Sequence, residues 1–388
     1  MIDDLPKDSN TTLRGVSSVI GGLLHKVALS SIMSYGNFYP YLLSFLHQFD
    51  SSCKIQHGFF IMPIMTISLF TVAPVGGFID NKLGTQRAVI IGVLFILSAA
   101  FILLSSTNLY IDYLTFVLFG IGVGVSSMAT GKNACHYFMK NRGMVTAILA
   151  SFMSLGGSMF TLAGEMIINP DGVSADENKF YPYTVAEKFK SYLVFQMCIV
   201  ALLILLSVFF IVPYQHITSH KEANELKGEL IPPSPRISST SDEAINQNST
   251  SGIVEGSVHE KPLLPLEEKI NPNDYSMTHI SKAWKSWRVW RLFLMILFSS
   301  FGVTMIMTTY RTIAIAKNIN TRIVQIIGTS GFIIMCVCTP LWGVLADKIN
   351  FRFLLLILNI ASATLSYLYY LSIFNDISFL IATLSYLL

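Results

Sequence analysis

A few ionisable side chains lie inside long apolar stretches of this sequence, where charge is rare. Arg311 follows Tyr310 in one such stretch, and Lys132 lies in another. An ionisable residue near the middle of a bilayer costs about 2.5–3.5 kcal/mol on insertion scales, so it is usually functional or paired. The planar guanidinium of arginine matches both oxygens of a carboxylate. We therefore predict that Arg311, with Lys132 as a second candidate, binds a small organic anion.

Three further residues in apolar stretches could take up and release a proton, namely His25, His136 and Glu165. Imidazole changes its charge near neutral pH. His136 lies four residues after Lys132, so a helix would place both on one face. Each of these residues has a simpler interpretation. His25 could be a packing residue and Glu165 could lie at the outer surface, while Lys132, Arg311 and Lys26 could extend to the membrane interface.

A polar and aromatic cluster interrupts the first apolar stretch. In a helix, Tyr35 and Tyr39 share one face, whereas Asn37 and Tyr41 form a second stripe about 160° away. One stripe can line a cavity while the other packs against neighbouring helices. We therefore include Tyr35, Asn37 and Tyr39, together with Tyr310, among the predicted ligands of a solute.

The elements that would position these residues are long and apolar. Hydrophobic residues make up 52% of the 388-residue chain, charged residues only 13%, and the mean hydropathy is +0.57. Soluble domains average about 25% charged residues. The composition therefore favours a protein embedded in a lipid bilayer, and the small formal net charge of +3 does not indicate a nucleic-acid partner.

A helix needs about 20 apolar residues to cross the hydrocarbon core. About ten stretches satisfy this length: 17–47, 56–79, 87–106, 110–137, 143–166, 191–213, 290–316, 322–346, 352–373 and 377 to the last residue. We predict an all-α, polytopic membrane protein. The last stretch stops within an apolar run, so we expect a fragment that lacks about two helices. A natural protein with ten crossings is the alternative.

The spacing of these stretches divides the chain into three parts. We expect an N-terminal six-helix bundle over 1–213 and an incomplete C-terminal bundle over 284–388. Between them, 214–283 is rich in serine and proline and poor in aromatic residues. Such a segment cannot bury enough apolar surface to fold, so we predict a disordered cytosolic linker.

A polar segment recurs near the end of the second apolar stretch of each half. Each copy contains a glycine, an aspartate four residues later, a short basic turn and an arginine: Gly76, Asp80 and Arg87, then Gly343, Asp347 and Arg352. Repetition at matching positions favours two related helical halves. The glycine allows close approach of a neighbouring backbone, and the carboxylate can accept hydrogen bonds from a helix N-terminus and from a nearby base.

We predict from this chemistry that the two aspartates latch helices together in one conformation and release them in another. An ordinary capped loop with basic residues on the cytosolic side is the alternative. Short loops that carry Lys and Arg favour the cytosol. The basic residues of three loops therefore place both segments, and the N-terminus, on the cytosolic side: Lys82 and Arg87, Lys140 and Arg142, Lys348 and Arg352.

These two segments resemble the loop signature G-x-x-x-D-[RK]-x-G-x-[RK] of the major facilitator superfamily of membrane transporters. The second copy fits well, except that Asn350 replaces a glycine. The first copy has Asn81 where a base is usual, and one extra residue before Gly84. The resemblance extends over essentially the whole chain outside the linker.

Other segments are similar to the oxalate/formate antiporter and monocarboxylate transporter branch of that superfamily. They lie at 120–124, 136–138, 141–146 and 339–343. Carriers of monocarboxylates commonly place an arginine directly before the proline of the last segment, where it can pair with the substrate carboxylate. Here that position is Thr339, so this chain would need to supply the positive charge from elsewhere.

The resemblance implies two helical bundles that rock around a central cavity near the bilayer midplane. It further implies a secondary active transporter of a small organic anion, such as a monocarboxylate, with possible coupling to protons through His25, His136 or Glu165. Symport, antiport and the oligomeric state stay open. The alternative is a transport-inactive relative that acts as a sensor or scaffold, which the irregular first loop and Thr339 favour slightly.

No pattern in the sequence indicates an enzyme, a cofactor or a metal site. The five cysteines lie mostly in apolar stretches, and Cys336 and Cys338 do not have metal-ligand spacing. The glycines of 120–124 lack the third glycine and the flanking strand of a dinucleotide-binding loop. Tryptophans and bases alternate over 284–291, which is typical of an anchor at the membrane interface rather than of nucleic-acid binding.

Overall fold

The computed structural model describes residues 9–176, 178–214, 286–317, 319–349 and 351–372. Within these ranges the chain is helical and contains no strand, as predicted. The helices are α1 (Ser9–Met33), α2 (Tyr35–His47), α3 (Ile61–Leu83), α4 (Thr85–Ser105), α5 (Leu109–Tyr137), α6 (Arg142–Ile168), α7 (Tyr183–Ala186), α8 (Lys188–Phe210), α9 (Trp287–Ala316), α10 (Thr321–Lys348) and α11 (Phe351–Ser372). Short 3₁₀ turns cover Ile55–Phe60 and Met139–Asn141.

Eight helices in the described ranges are long and apolar enough to cross a membrane. They correspond to eight of the ten predicted crossings. The stretch predicted at 290–316 is helical as α9. The predicted crossing from 377 onward and the predicted linker over 214–283, except Tyr214, lie outside the described residues.

The chain divides into two compact units. One comprises 1–214 and 293–388 and contains most of the described helices. The other comprises 215–292, in which the structure describes only residues 286–292, at the start of α9.

The first predicted crossing is divided into two helices at Ser34. The hydroxyl of Ser31 donates to the carbonyl oxygen of Ala28 at 2.7 Å, and the hydroxyl of Ser34 donates to that of Ser31 at 2.7 Å. Such bonds to the preceding turn compete with helical hydrogen bonding and bend helices. Pro40, inside α2, removes one further backbone donor. The polar and aromatic cluster therefore begins a separate helix, α2.

An aromatic core fixes α2 against α5 and α8. Tyr35 packs edge-on against Phe116 with 5.3 Å between ring centroids, and Phe38 lies 4.6 Å from the ring of Tyr192. All four side chains are buried. Rings in these geometries contribute about 0.5–1.5 kcal/mol beyond their buried area, so α2 is held firmly beside the site described below.

Glycines at the two repeated segments allow helices to approach closely. A Cβ atom placed on Gly76 would lie 2.7 Å from both the Cα and the carbonyl oxygen of Val125 in α5. A Cβ atom placed on Gly343 would lie 2.8 Å from the carbonyl oxygen of Gly143 in α6. Each repeated segment therefore begins at a backbone-to-backbone contact, as the sequence predicted.

We expect Gly76→Ala to lower the free energy of unfolding by about 1–3 kcal/mol, because the added methyl group overlaps the α5 backbone. Gly77→Ala is the matched control, since a Cβ atom there would meet only Met128 Cγ, at 4.0 Å. That control should be neutral or slightly stabilising, as alanine favours helix by up to about 1 kcal/mol. Denaturation of the detergent-purified variants measures both, and equal effects would contradict the close contact at Gly76.

Candidate functional site

A buried ion pair joins α9 to α6. The guanidinium of Arg311 contacts the carboxylate of Glu165, and the two residues are 2% and 7% exposed. Arg311 also donates from Nη2 to the hydroxyl of Tyr41 at 2.8 Å. The guanidinium lies 4.9 Å from the centre of the Tyr41 ring. The positive charge predicted for anion binding is thus neutralised by an acid on another helix.

The carboxylate of Glu165 accepts further hydrogen bonds. Tyr41 donates its hydroxyl hydrogen to Oε2 at 2.9 Å, and Gln325 of α10 donates to the same oxygen at 2.7 Å. Asn169, one turn beyond Glu165, donates to the Tyr41 hydroxyl at 3.2 Å. Buried charges are tolerated when they are paired and fully hydrogen-bonded. The network meets that condition with side chains from α2, α6, α9 and α10.

A second polar chain runs beside the first. Tyr310 donates its hydroxyl hydrogen to the Asn37 side-chain oxygen, and the Asn37 amide donates to the hydroxyl of Thr161 at 3.1 Å. All three side chains are buried. The structure therefore brings together four of the predicted site residues in two adjacent networks: Arg311, Glu165, Tyr310 and Asn37.

An open-sided cavity of about 360 Å³ lies between α6 and α10 and has Glu165 in its wall, while Met166 and Ile326 at its rim are 74% and 67% exposed. Its polar lining comprises Asn169, Gln325, Thr329 and Ser330, and its apolar lining includes Leu162, Met166, Ile326 and Ile333. Mostly apolar clefts with a few convergent polar groups are typical of small-ligand sites, which span about 300–1,000 Å³. The cavity reaches the acidic partner of Arg311 from the side of α10.

The other predicted ligands have different surroundings. Tyr35 donates to Gln196 at 3.0 Å within the aromatic core, and Tyr39 packs closely over Gly58. Lys132 contacts the side chains of Asp80 and Asn81. Their roles as substrate ligands stay predictions, and the hydrogen bonds described here for Tyr35 and Lys132 lead to partners other than Arg311 and Glu165.

The two predicted histidines lie in α1 and near the end of α5. His25 is fully buried, with Nδ1 3.4 Å from the hydroxyl of Thr130. His136 stacks on Tyr214 with 5.5 Å between ring centroids. Proton coupling through either residue stays a prediction, and Glu165 is the proton-coupling candidate that lies in the Arg311 network.

The repeated segments hold two carboxylates in different ways. Asp80 accepts from the Thr85 hydroxyl at 2.6 Å and pairs with the Lys132 ammonium at 2.8 Å. Asp347 accepts from the backbone amides of Gly143 and Met144 at 2.8 and 2.9 Å. These amides belong to the first turn of α6, where the helix dipole favours negative charge. One aspartate thus binds a base and the other a helix N-terminus, the two partners that the sequence analysis proposed.

Both aspartates lie at the same end of the helices. Lys132 is in the last turns of α5, and Gly143 is in the first turn of α6, directly after the short turn that joins them. Asp80 and Asp347 therefore contact the two sides of one connection. Arg87 is exposed, and the side chain of Arg352 lies outside the described residues.

Some site residues were not predicted as ligands from the sequence. Gln325, Asn169 and Thr161 are uncharged, and the sequence analysis selected mainly for charge. A signal existed for Asn169, because it follows Glu165 by four residues and a helix places both on one face. Tyr41 was recognised as part of the aromatic stripe with Asn37 but was not chosen as a ligand.

Eight membrane-length apolar helices in the described ranges are typical of an integral, multi-pass α-helical membrane protein. The chain belongs to the Major Facilitator Superfamily, whose family model matches residues 27–388. This family is made up of transporters and not enzymes, in agreement with the sequence analysis.

Two comparisons describe the similarity further. The chain is 26% identical over 168 residues to the agnestins efflux protein AgnL12 of Paecilomyces divaricatus, and the match covers 42% of this chain and 38% of that protein. The chain thus spans well under half the length of that curated relative. The inward-open xylose transporter XylE from E. coli has a similar fold, with a TM-score of 0.54 and 13% identity over 96% of this chain and 78% of that one.

We expect Arg311→Met to lower the free energy of unfolding by about 3–5 kcal/mol, because it leaves the Glu165 carboxylate buried without its counter-charge. Arg311→Met combined with Glu165→Gln should recover most of that loss. Lys188→Met is the control, since Lys188 is exposed and exposed charges contribute about 1 kcal/mol or less. Additive effects of the two substitutions in a denaturation cycle would argue against the pair.

Proposed function

We propose that the chain is a secondary active transporter that moves a small organic anion, in the first instance a monocarboxylate, by alternating access. The observation that carries this proposal is the Arg311–Glu165 pair beside a cavity of about 360 Å³. Arg311 is the guanidinium buried in this network, and a guanidinium suits a carboxylate because its planar fork meets both oxygens.

The same pair provides a means of coupling the anion to a proton. While Glu165 is ionised it occupies the guanidinium, and a substrate carboxylate would have to replace it. A proton that binds to Glu165 removes the attraction between the two side chains and releases Arg311. The substrate carboxylate then takes the place of Glu165 on Arg311 and Tyr41. When the anion leaves, Glu165 gives up its proton and the original pair forms again.

Asp347 supplies the proposed conformational latch. Its two hydrogen bonds to the first turn of α6 hold the ends of α6 and α10 together. Basic residues in the short loops favour the cytosol for this end of the protein. A state with the Asp347 contact formed is then closed toward the cytosol, and opening on that side separates Asp347 from α6. Asp80, which pairs with Lys132, is the proposed second part of the latch.

The anion and proton proposals are tested by uptake into vesicles that contain a full-length protein, with radiolabelled lactate, pyruvate, formate and oxalate. The curated relative is an efflux protein, so export from loaded vesicles is measured as well. Anion uptake is measured from about pH 8 to 5.5, a span of about one unit either side of the histidine reference value, and a flat profile would contradict coupling to protons. Arg311→Ala should raise the KM for the anion by about tenfold or more, the loss expected for a charge-assisted hydrogen bond.

Glu165→Gln separates the two roles. It removes the proposed proton carrier and leaves Arg311 without its competitor, so anion binding should persist while coupling of uptake to a proton gradient is lost. Uptake with an unchanged pH profile in Glu165→Gln would contradict coupling through this residue. Unchanged anion KM in Arg311→Ala would contradict the assignment of the guanidinium to the substrate.

We expect Asp347→Asn to slow transport without preventing insertion into the membrane. Asparagine has a single acceptor oxygen, so in this geometry it keeps only one of the two hydrogen bonds from Gly143 and Met144, and it also loses the dipole interaction of about 0.3–1 kcal/mol. The double variant with Asp80→Asn should be slower still. Transport rates per molecule of protein at the membrane measure the effect, and a double variant that transports at the full rate would refute the latch.

A further inference from the structure

Lys26 of α1 is a buried cation that lies apart from the Arg311 network. Its side chain is 9% exposed, and its ammonium donates to the hydroxyl and the carbonyl oxygen of Ser127 in α5. The sequence analysis gave the alternative that Lys26 extends to the membrane interface. The structure shows a contact with Ser127 instead. The side chain is directed at the neighbouring helix.

The position of this contact is deep within the helices. Ser127 lies ten residues before Tyr137 at the end of α5, which corresponds to about 15 Å along the helix. Lys26 therefore contacts α5 well inside a helix that is long and apolar enough to cross the membrane. A charge at that depth costs several kcal/mol unless it is neutralised.

Among the described residues no carboxylate neutralises Lys26. Of the buried acids, Glu165 pairs with Arg311 and Asp80 pairs with Lys132. The third, Asp112, lies 15 residues from Ser127 along α5, or about 22 Å away. Arg311 thus has a built-in counter-charge, whereas Lys26 has only neutral oxygen atoms around it.

The local hydrogen bonds leave capacity for a ligand. An ammonium has three donors, and Ser127 accepts two of them. Because the Ser127 hydroxyl accepts from Lys26, its own hydrogen is available for donation. Ser127 is half-buried, and a Cβ atom placed on Gly131, one turn further along α5, would meet nothing within 4 Å. Space is therefore open at Gly131, one turn from this contact.

We propose that Lys26 and Ser127 form a subsite that binds the carboxylate group of the transported anion, separate from Arg311. This inference rests on the proposed function in its choice of ligand class. An oxygen of the anion accepts from the third ammonium hydrogen, and a second oxygen accepts from the Ser127 hydroxyl. His25, whose Nε2 has no hydrogen-bond partner in the described structure, is the adjacent polar group of α1.

The test measures anion binding directly and transport separately. Detergent-purified full chain is heated with sodium lactate, pyruvate, formate or oxalate, and the rise in its unfolding temperature gives a Kd for each anion. Lactamide and pyruvamide are the neutral probes. We expect Lys26→Met to weaken the binding of the monocarboxylates by roughly 10- to 100-fold, the loss of one charge-assisted hydrogen bond. Binding of the neutral amides should change little, and Lys26→Arg should retain most of the anion affinity.

Matched variants separate charge from packing. Ser127→Ala should weaken anion binding, whereas Ser126→Ala should not, because the Ser126 hydroxyl donates to Gly122 in its own helix at 2.8 Å. Lys188→Met removes an exposed lysine of α8 and should have no effect. Equal anion affinity in the wild type and in Lys26→Met overturns the inference. Lys26→Met that weakens the binding of the anions and of the neutral amides to the same extent also overturns it, because Lys26 would then only hold α1 against α5.

Uptake by the same variants distinguishes failure of the inference from failure of the proposed function. Anion uptake that Arg311→Ala impairs and Lys26→Met leaves intact overturns the subsite alone. A second outcome is that the anions no longer raise the unfolding temperature of Lys26→Met, while the wild-type protein transports only neutral solutes. This outcome supports an anion-binding site at Lys26 and overturns the proposed function. A wild-type protein that neither binds nor transports any of the four anions overturns both.

Discussion

The contact between α6 and α10 is the interaction on which the rest of the described structure depends. At one end Gln325 of α10 donates to Glu165 of α6, and at the other Asp347 of α10 accepts from Gly143 and Met144 of α6. Residues 143 and 165 are 22 positions apart, as are residues 325 and 347. The two helices are antiparallel, and their two contacts have the same spacing on each helix. The contacts are therefore in register, about 33 Å apart along the helix axes. Between these ends Ser151 donates to the carbonyl oxygen of Cys336 at 2.8 Å.

The two end contacts differ in the charge that each must neutralise. At the Glu165 end the acid has a full counter-charge in Arg311, and loss of one partner from a buried pair typically costs about 3–5 kcal/mol. At the Asp347 end the acid is exposed and its partner is a helix dipole, an interaction of about 0.3–1 kcal/mol. The Asp347 contact is therefore the weaker of the two. A movement that opens one end at a time meets a smaller barrier there, unless a proton or a substrate first relieves the Glu165 pair.

The sequence allowed prediction of the elements more completely than of the contacts. Helical crossings follow from the length of apolar runs, and the repeated Gly–Asp segments were correctly placed at close helix contacts because glycine spacing is local information. Arg311 and Glu165 were also selected, because charge in an apolar run is conspicuous. Their pairing was not foreseen, since they are 146 residues apart. The two were given separate roles, one for substrate and one for protons, whereas the structure places them on each other.

Uncharged partners were harder to recognise. Gln325 and Thr161 occur in helices with many polar residues of similar size, and only the fold shows which of them face Glu165 and Asn37. For Lys132 the sequence identified the charged residue but not its partner. Its position in an apolar run indicated a functional charge, but the helix face alone did not reveal that Asp80 lies opposite. The sequence identifies charged residues whose burial in a membrane is unfavourable in free energy, and tertiary packing determines which partner stabilises each of them.

The distribution of buried cations adds a last constraint on any mechanism. A cation that already has a counter-charge attracts an approaching anion weakly, because the pair acts at a distance as a dipole. Arg311 is in this condition, and Lys26 is not. If the substrate is the proposed anion, it would therefore be attracted first to Lys26, whose charge has no acidic partner among the described residues and lies in a low-dielectric medium. Arg311 can contribute only after Glu165 has been displaced or protonated. The two cations thus suit successive steps, with Lys26 for attraction and Arg311 for a commitment that depends on the state of Glu165.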